Sequence, residues 1–154
     1  MRQREEIQEV LRKMTIPLKQ VIQAIEEASE VFTSFWDKKT GKTVYLADPL
    51  MTDMTAEDEA LVAEMENTPE RFLRFPTKYE IHQYRIMEAY IDQLPPGKAK
   101  EELAYAIRGK GAFRRFKQSV RYHGLEQRWY DYLAEVYREL AIRWCAEEGL
   151  EYTE

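Results

Sequence analysis

The sequence predicts an α+β fold that is predominantly helical, with about six to seven helices and a small antiparallel β-hairpin or three-stranded sheet. Three observations point there. Apolar residues recur at helical spacing through most of the chain. One stretch, residues 31–46, is instead dense in β-branched and aromatic residues around a glycine-containing turn. The length of 154 residues, with 44% apolar and 33% charged side chains, suits one soluble globular domain.

Taken in order, Ile7, Val10, Leu11 and Met14 mark a first helix. Leu18, Val21, Ile22 and Ile25 mark a second, with Pro17 suited to its first turn. Val31–Trp36 and Thr43–Leu46 read as strands, and Asp37–Lys42 between them reads as a hairpin turn. Thr55 and Asp58 have capping-box spacing at the start of a short helix that Asn67-Thr-Pro69 ends. Phe72–Phe75 is a third strand stopped by Pro76.

Thr77 and Glu80 form a second capping box, opening a helix through Ile86, Tyr90 and Leu94 that Pro95-Pro96 terminates. Lys98–Arg108 and Ala112–His123 make two shorter helices separated by Gly109 and Gly111. The last helix runs from about Leu125 to Glu148, and Gly149 suits the position just past its end. The organisation expected is an N-terminal helical extension over residues 1–16 and a single α+β domain over 17–154.

Several function classes are disfavoured by composition. No segment is long and apolar enough to cross a membrane, and the charged N-terminus does not look like a secretion signal. With Cys145 the sole cysteine, no internal disulfide can form, and a reducing cytoplasm is the simplest location. Cys145 lies in an apolar helical pattern beside Glu147 and Glu148, a setting that raises a thiol pKa and suits a buried, inert group. His82 and His123 are the two histidines and have no metal-ligand spacing, so neither metal nor cofactor is expected. Ser29, Ser34 and Ser119 lack a nucleophile context. Trp36 and Tyr45, on facing strands, read as cross-strand packing.

The most informative segment is Arg108–Lys117. From Arg108 to Gly124 there are six basic residues and no acid, in a chain whose net charge is −5. Phe113, Phe116 and Val120 share one helical face, expected to point inward, while Arg114, Lys117 and Arg121 repeat on another. A helix N-terminus offers unpaired N–H donors and a partial positive charge, and glycines let an anion approach the backbone. Gly109, Lys110, Gly111, Arg114, Arg115 and Lys117 are therefore the candidate anion site, with His82, Arg85 and Arg121 as its rim. The spacing is not that of a nucleoside triphosphate P-loop.

Leu18–Glu26, the turn Asp37–Gly41, Glu80–Glu88, Ile107–Lys117 and Trp129-Tyr130 together resemble a bacterial family carried as an uncharacterised protein family. The resemblance spans about residues 18–149, and the Gly-Lys-Gly-Ala-Phe-Arg-Arg-Phe-Lys run is its most recognisable part. It implies one α+β unit and brings no reaction, cofactor or partner.

The reading that follows is an intracellular, non-catalytic binding or regulatory module for a phosphate-bearing ligand, with nucleic acid as a weaker expectation. A DNA-reading helix-turn-helix is disfavoured because the rest of the chain is acidic. One alternative is a protein-interaction domain in which the Gly/Arg segment is only architectural. Another is an enzyme acting on a phosphorylated substrate through His82, Arg85 and the arginines. The N-terminal helix, lying outside the resemblance, is a candidate homodimer contact.

Overall fold

The computed structural model describes residues 2–4 and 14–154. The helix expected over Ile7, Val10 and Leu11, and the homodimer contact assigned to it, lie outside the described residues. Within those residues the architecture is α+β and mostly helical, with seven helices, a three-stranded antiparallel sheet and a small parallel strand pair. The chain divides into two compact units, Met1–Ile81 with Tyr137–Glu154, and His82–Val136. No glycine- or proline-rich linker announces this division, because one junction falls between adjacent helices and the other inside the last helix.

The first unit opens with β1 (Thr15–Pro17) and α1 (Leu18–Glu26), which buries Leu18, Val21, Ala24 and Ile25 along one stripe. The hairpin follows as β2 (Phe32–Asp37) and β3 (Thr43–Ala47), with Ser34 opposite Tyr45 and Trp36 opposite Thr43. Tyr45 meets Phe32 edge-on at 5.1 Å rather than Trp36, which is buried. Next come α2 (Ala56–Asn67), a 3-10 turn (Pro69–Arg71) and β4 (Phe72–Arg74), which pairs with β2 to give the order β3-β2-β4. The Thr55 and Asp58 capping box is formed reciprocally, Asp58 N–H donating to Thr55 Oγ1 at 3.1 Å and Thr55 N–H to Asp58 at 2.9 Å.

Carboxylates hold Arg71 and Arg74 of this unit. Arg71 donates through Nε and Nη2 to the two oxygens of Asp37 at 2.8 and 2.7 Å, and its Nη1 lies 3.3 Å from Glu64. Asp37 is only 3% exposed. The hydrogen bond from Arg71 lowers its pKa from 3.8 to about 2, against the upward push of burial. The main chain closes the same junction, since Lys38 N–H donates to Arg71 O at 2.9 Å. Arg74 likewise pairs with Glu80 at 2.6 Å and holds that carboxyl down at about 2, with help from the Thr77 N–H.

Two features here depart from the sequence reading. The helix opened by Thr77 lasts a single turn, α3 (Lys78–Ile81), before His82 adopts a left-handed backbone, φ 54° and ψ 65°. Its capping carboxylate, Glu80, is tied to Arg74 on β4, so this turn is anchored to the sheet. That backbone conformation costs an ordinary residue about 1 kcal/mol. The second departure is β5 (Glu151–Thr153), which pairs in parallel with β1, Ile16 opposite Tyr152.

The second unit is helical: α4 (Gln83–Asp92), α5 (Lys98–Ala106), α6 (Ala112–Tyr122) and the first part of α7 (Glu126–Glu147). Aromatic rings make its core, Tyr90 lying 5.3 Å from Trp129 and Phe116 4.7 Å from Trp129, both near-perpendicular. Edge-to-face pairs of this kind add about 1 kcal/mol each beyond the area they bury. The remainder of α7 belongs to the first unit, where Trp144 packs on Phe75 at 4.9 Å and donates from Nε1 to Arg74 O at 3.0 Å. Gly149, at φ 69°, ends α7, and Leu150 N–H donates back to Cys145 O at 2.8 Å, the closing bond expected of a glycine there.

Candidate anion-binding surface

The turn between α5 and α6 is held by one side chain. Arg115, in the second turn of α6, folds back across it. Its Nε donates to Ala106 O at 2.9 Å, its Nη1 to Lys110 O and its Nη2 to Arg108 O. The carbonyls that end a helix have no partners within it and carry partial negative charge, which a planar guanidinium with several donors meets well. Tyr84 adds a hydroxyl bond to the neighbouring Ile107 O at 2.9 Å. Gly109 and Gly111 give the turn its left-handed backbone, at φ 72° and 77°. A β-carbon on Gly111 would lie 3.0 Å from Arg115 Nη1. Arg115 is thus engaged by three main-chain oxygens, a different task from facing a ligand.

Gly111 is the N-cap of α6; no side chain caps the helix and its first turn holds no acid. At 3.6 residues per turn, successive residues advance about 100° around the axis. Ala112, Phe116 and Val120 fall on one side and are buried. The exposed side runs from Phe113 through Lys117, Arg121, Arg114 and Gln118 to Tyr122. Phe113 is 43% exposed and sits at the edge of this arc, so of the two phenylalanines expected to point inward only Phe116 is buried.

Arg114, Lys117, Gln118, Arg121 and Tyr122 line an open depression of about 390 Å³. Arg121 Nε is 3.8 Å from Glu126, a loose contact, while Lys110, Arg114 and Lys117 have no ion-pair partner among the described residues. The rim expected from the sequence is only partly gathered. Arg121 lines the depression, whereas His82 and Arg85 do not. Both are exposed, and Arg85 N–H donates to His82 O at 3.0 Å where α4 begins. Lys110 is exposed on the turn. His123 caps the C-terminal end of α6 with its Nε2 2.7 Å from a Glu102 oxygen.

The sequence reading passed over Tyr122 and Gln118. Their signal was present, since positions four and eight residues after Arg114 fall within the arc that its cationic stripe defines.

Among the described residues, no group of three or more His, Cys, Asp or Glu side chains could hold a metal ion. Cys145 is buried, and burial, rather than the neighbouring glutamates, pushes its thiol pKa up. No described helix is long and apolar enough to cross a membrane.

Comparison with known proteins adds the family. A protein of Pseudomonas aeruginosa, UPF0158 protein PA5073, is 28% identical over 142 residues, covering 92% of this chain and 88% of that protein. No solved structure matches. The family model for UPF0158, described as an uncharacterised protein family, matches residues 11–153, a range that begins inside the segment 1–16. With nearly its whole length matched, the chain belongs to the uncharacterised protein family UPF0158.

Proposed function

We propose that this protein is a non-catalytic, cytoplasmic binding module whose ligand bears phosphate and docks from the uncapped start of α6 along its exposed face. The observation that carries the reading is an acid-free solvent face on which Arg114 and Lys117 have no carboxylate partner among the described residues. Arg115 and the two glycines keep the turn in shape, and Lys110 stands beside it as a further cation. The free N–H groups of the first turn and the positive end of the helix dipole favour an anion at the Arg114 end.

The test is binding of fluorescently labelled polyphosphate, measured by anisotropy at two salt concentrations, for the native chain and for the double variant Arg114→Ala/Lys117→Ala. Losing two exposed charges is expected to weaken binding about tenfold or more at low salt. The melting temperature should hold nearly constant, as it does for surface substitutions generally. Unchanged affinity in the double variant, or a fall in stability that accounts for the loss, overturns the reading.

A further inference from the structure

Building on the phosphate-binding reading of α6, we infer that the ligand of this surface is a single-stranded nucleic acid. Cations alone would suit any polyanion; here they share their depression with an aromatic ring. Tyr122 is 79% exposed and lines the same depression as Arg114, Lys117 and Arg121. A tyrosine this exposed adds little to the protein's own fold, since its ring lies outside the core. Its ring lies near-perpendicular to that of His123, 5.1 Å away. At 79% exposure the ring keeps most of its surface accessible to a flat partner. Single strands offer both required groups at once, phosphates for the cations and unstacked bases for the ring, whereas a duplex keeps its bases stacked upon one another.

The geometry suits a short stretch of strand. From Arg114 to Arg121 the axis advances about 10 Å, with Gln118 between the cations as a neutral donor and acceptor and Tyr122 at one edge of the arc. An anionic lipid surface is the other partner that basic and aromatic side chains attract. That mode needs an apolar helix face free to enter the headgroup layer. In α6 the apolar face, Phe116 and Val120, is 1% exposed at both positions and committed to the core.

The experiment compares four probes on the full chain: a mixed-sequence single-stranded RNA, the matching single-stranded DNA, a duplex of the same sequence, and polyphosphate of equal charge. The expected result is that either single strand binds at least fivefold more tightly than polyphosphate or duplex, with a logarithmic salt slope of about −2 for three neutralised phosphates. Tyr122→Ala is expected to weaken single-strand binding at least fivefold, in the range of one lost base stack, and to leave polyphosphate binding unchanged. Tyr122→Phe should restore it. Tyr79→Ala, at a tyrosine even more exposed and in the first unit, serves as the control and should have no effect. Equal affinity for polyphosphate and single strands, or an inert Tyr122→Ala, overturns this inference while leaving phosphate binding standing. Preferential binding of the duplex also overturns it. Failure of all the anionic probes overturns both readings together.

Discussion

The two units differ in charge and in what engages several of their arginines. Met1–Ile81 with Tyr137–Glu154 carries 13 basic and 21 acidic side chains, a net charge of −8, whereas His82–Val136 carries ten basic and seven acidic, a net of +3. In the acidic unit Arg71, Arg74 and Arg138 are each drawn to a carboxylate, on Asp37, Glu80 and Glu154. In the basic unit Arg115 is consumed by backbone oxygens, and Arg114 is exposed with no carboxylate partner among the described residues. An arginine is therefore structural or available according to what surrounds it, and adjacent residues such as Arg114 and Arg115 can differ completely.

The sharpest way to break the contrast is to remove the buried carboxylate of the acidic unit. Asp37→Ala leaves Arg71 partly buried beside an empty position at the end of β2, and breaking a buried pair costs about 3 kcal/mol. Chemical denaturation should show this as a lower midpoint with an unchanged slope. If the loss stays below about 1 kcal/mol, the pair is no more than an ordinary surface contact.

Acid tests the same pair without mutation. The folded-state pKa of Asp37 is depressed to about 2 from 3.8, so its contribution is fully present above pH 4 and is lost as pH falls through about 2. At 1.36 kcal/mol per unit, the contribution is about 2 kcal/mol. The denaturation midpoint of the native chain should fall across this window, and the Asp37→Ala variant should fall less. Parallel curves for the two proteins would show that Asp37 does not carry the acid response.

The smallest effect belongs to the basic unit. Arg115→Ala is expected to cost about 1–2 kcal/mol by releasing helix-end carbonyls. Arg115→Lys should recover little, because a single ammonium group cannot reproduce the planar fork. Full recovery by lysine would reduce the clamp to a simple charge effect.

Local chemistry made much of the fold legible. The hairpin, both capping boxes and the glycine that ends α7 follow from residues within a few positions of each other. The interactions that went unread join distant residues. Asp37 and Arg71 are 34 positions apart, and nothing in either neighbourhood marks the other. β1 and β5 are three residues each, too short for strand periodicity, and their pairing depends on the chain returning to its beginning. His82 breaks a helical pattern that its own neighbours support. At the candidate surface, the cationic stripe of α6 was visible from spacing alone. Arg115 was grouped with the ligand-facing residues because charge is visible in a sequence, while the carbonyls that claim it are present at every position and so mark none.

The Arg115 clamp also constrains how this turn can drift among relatives. Lys110 contributes to it a carbonyl that any residue possesses, so its side chain is free to vary as far as the turn is concerned. Gly111 has no such latitude, since it sits at φ 77° and a β-carbon there would lie 3.0 Å from Arg115 Nη1. Loss of the arginine alone would therefore not release Gly111, whose left-handed backbone still favours glycine, whereas the turn places no such demand on the side chain at position 110.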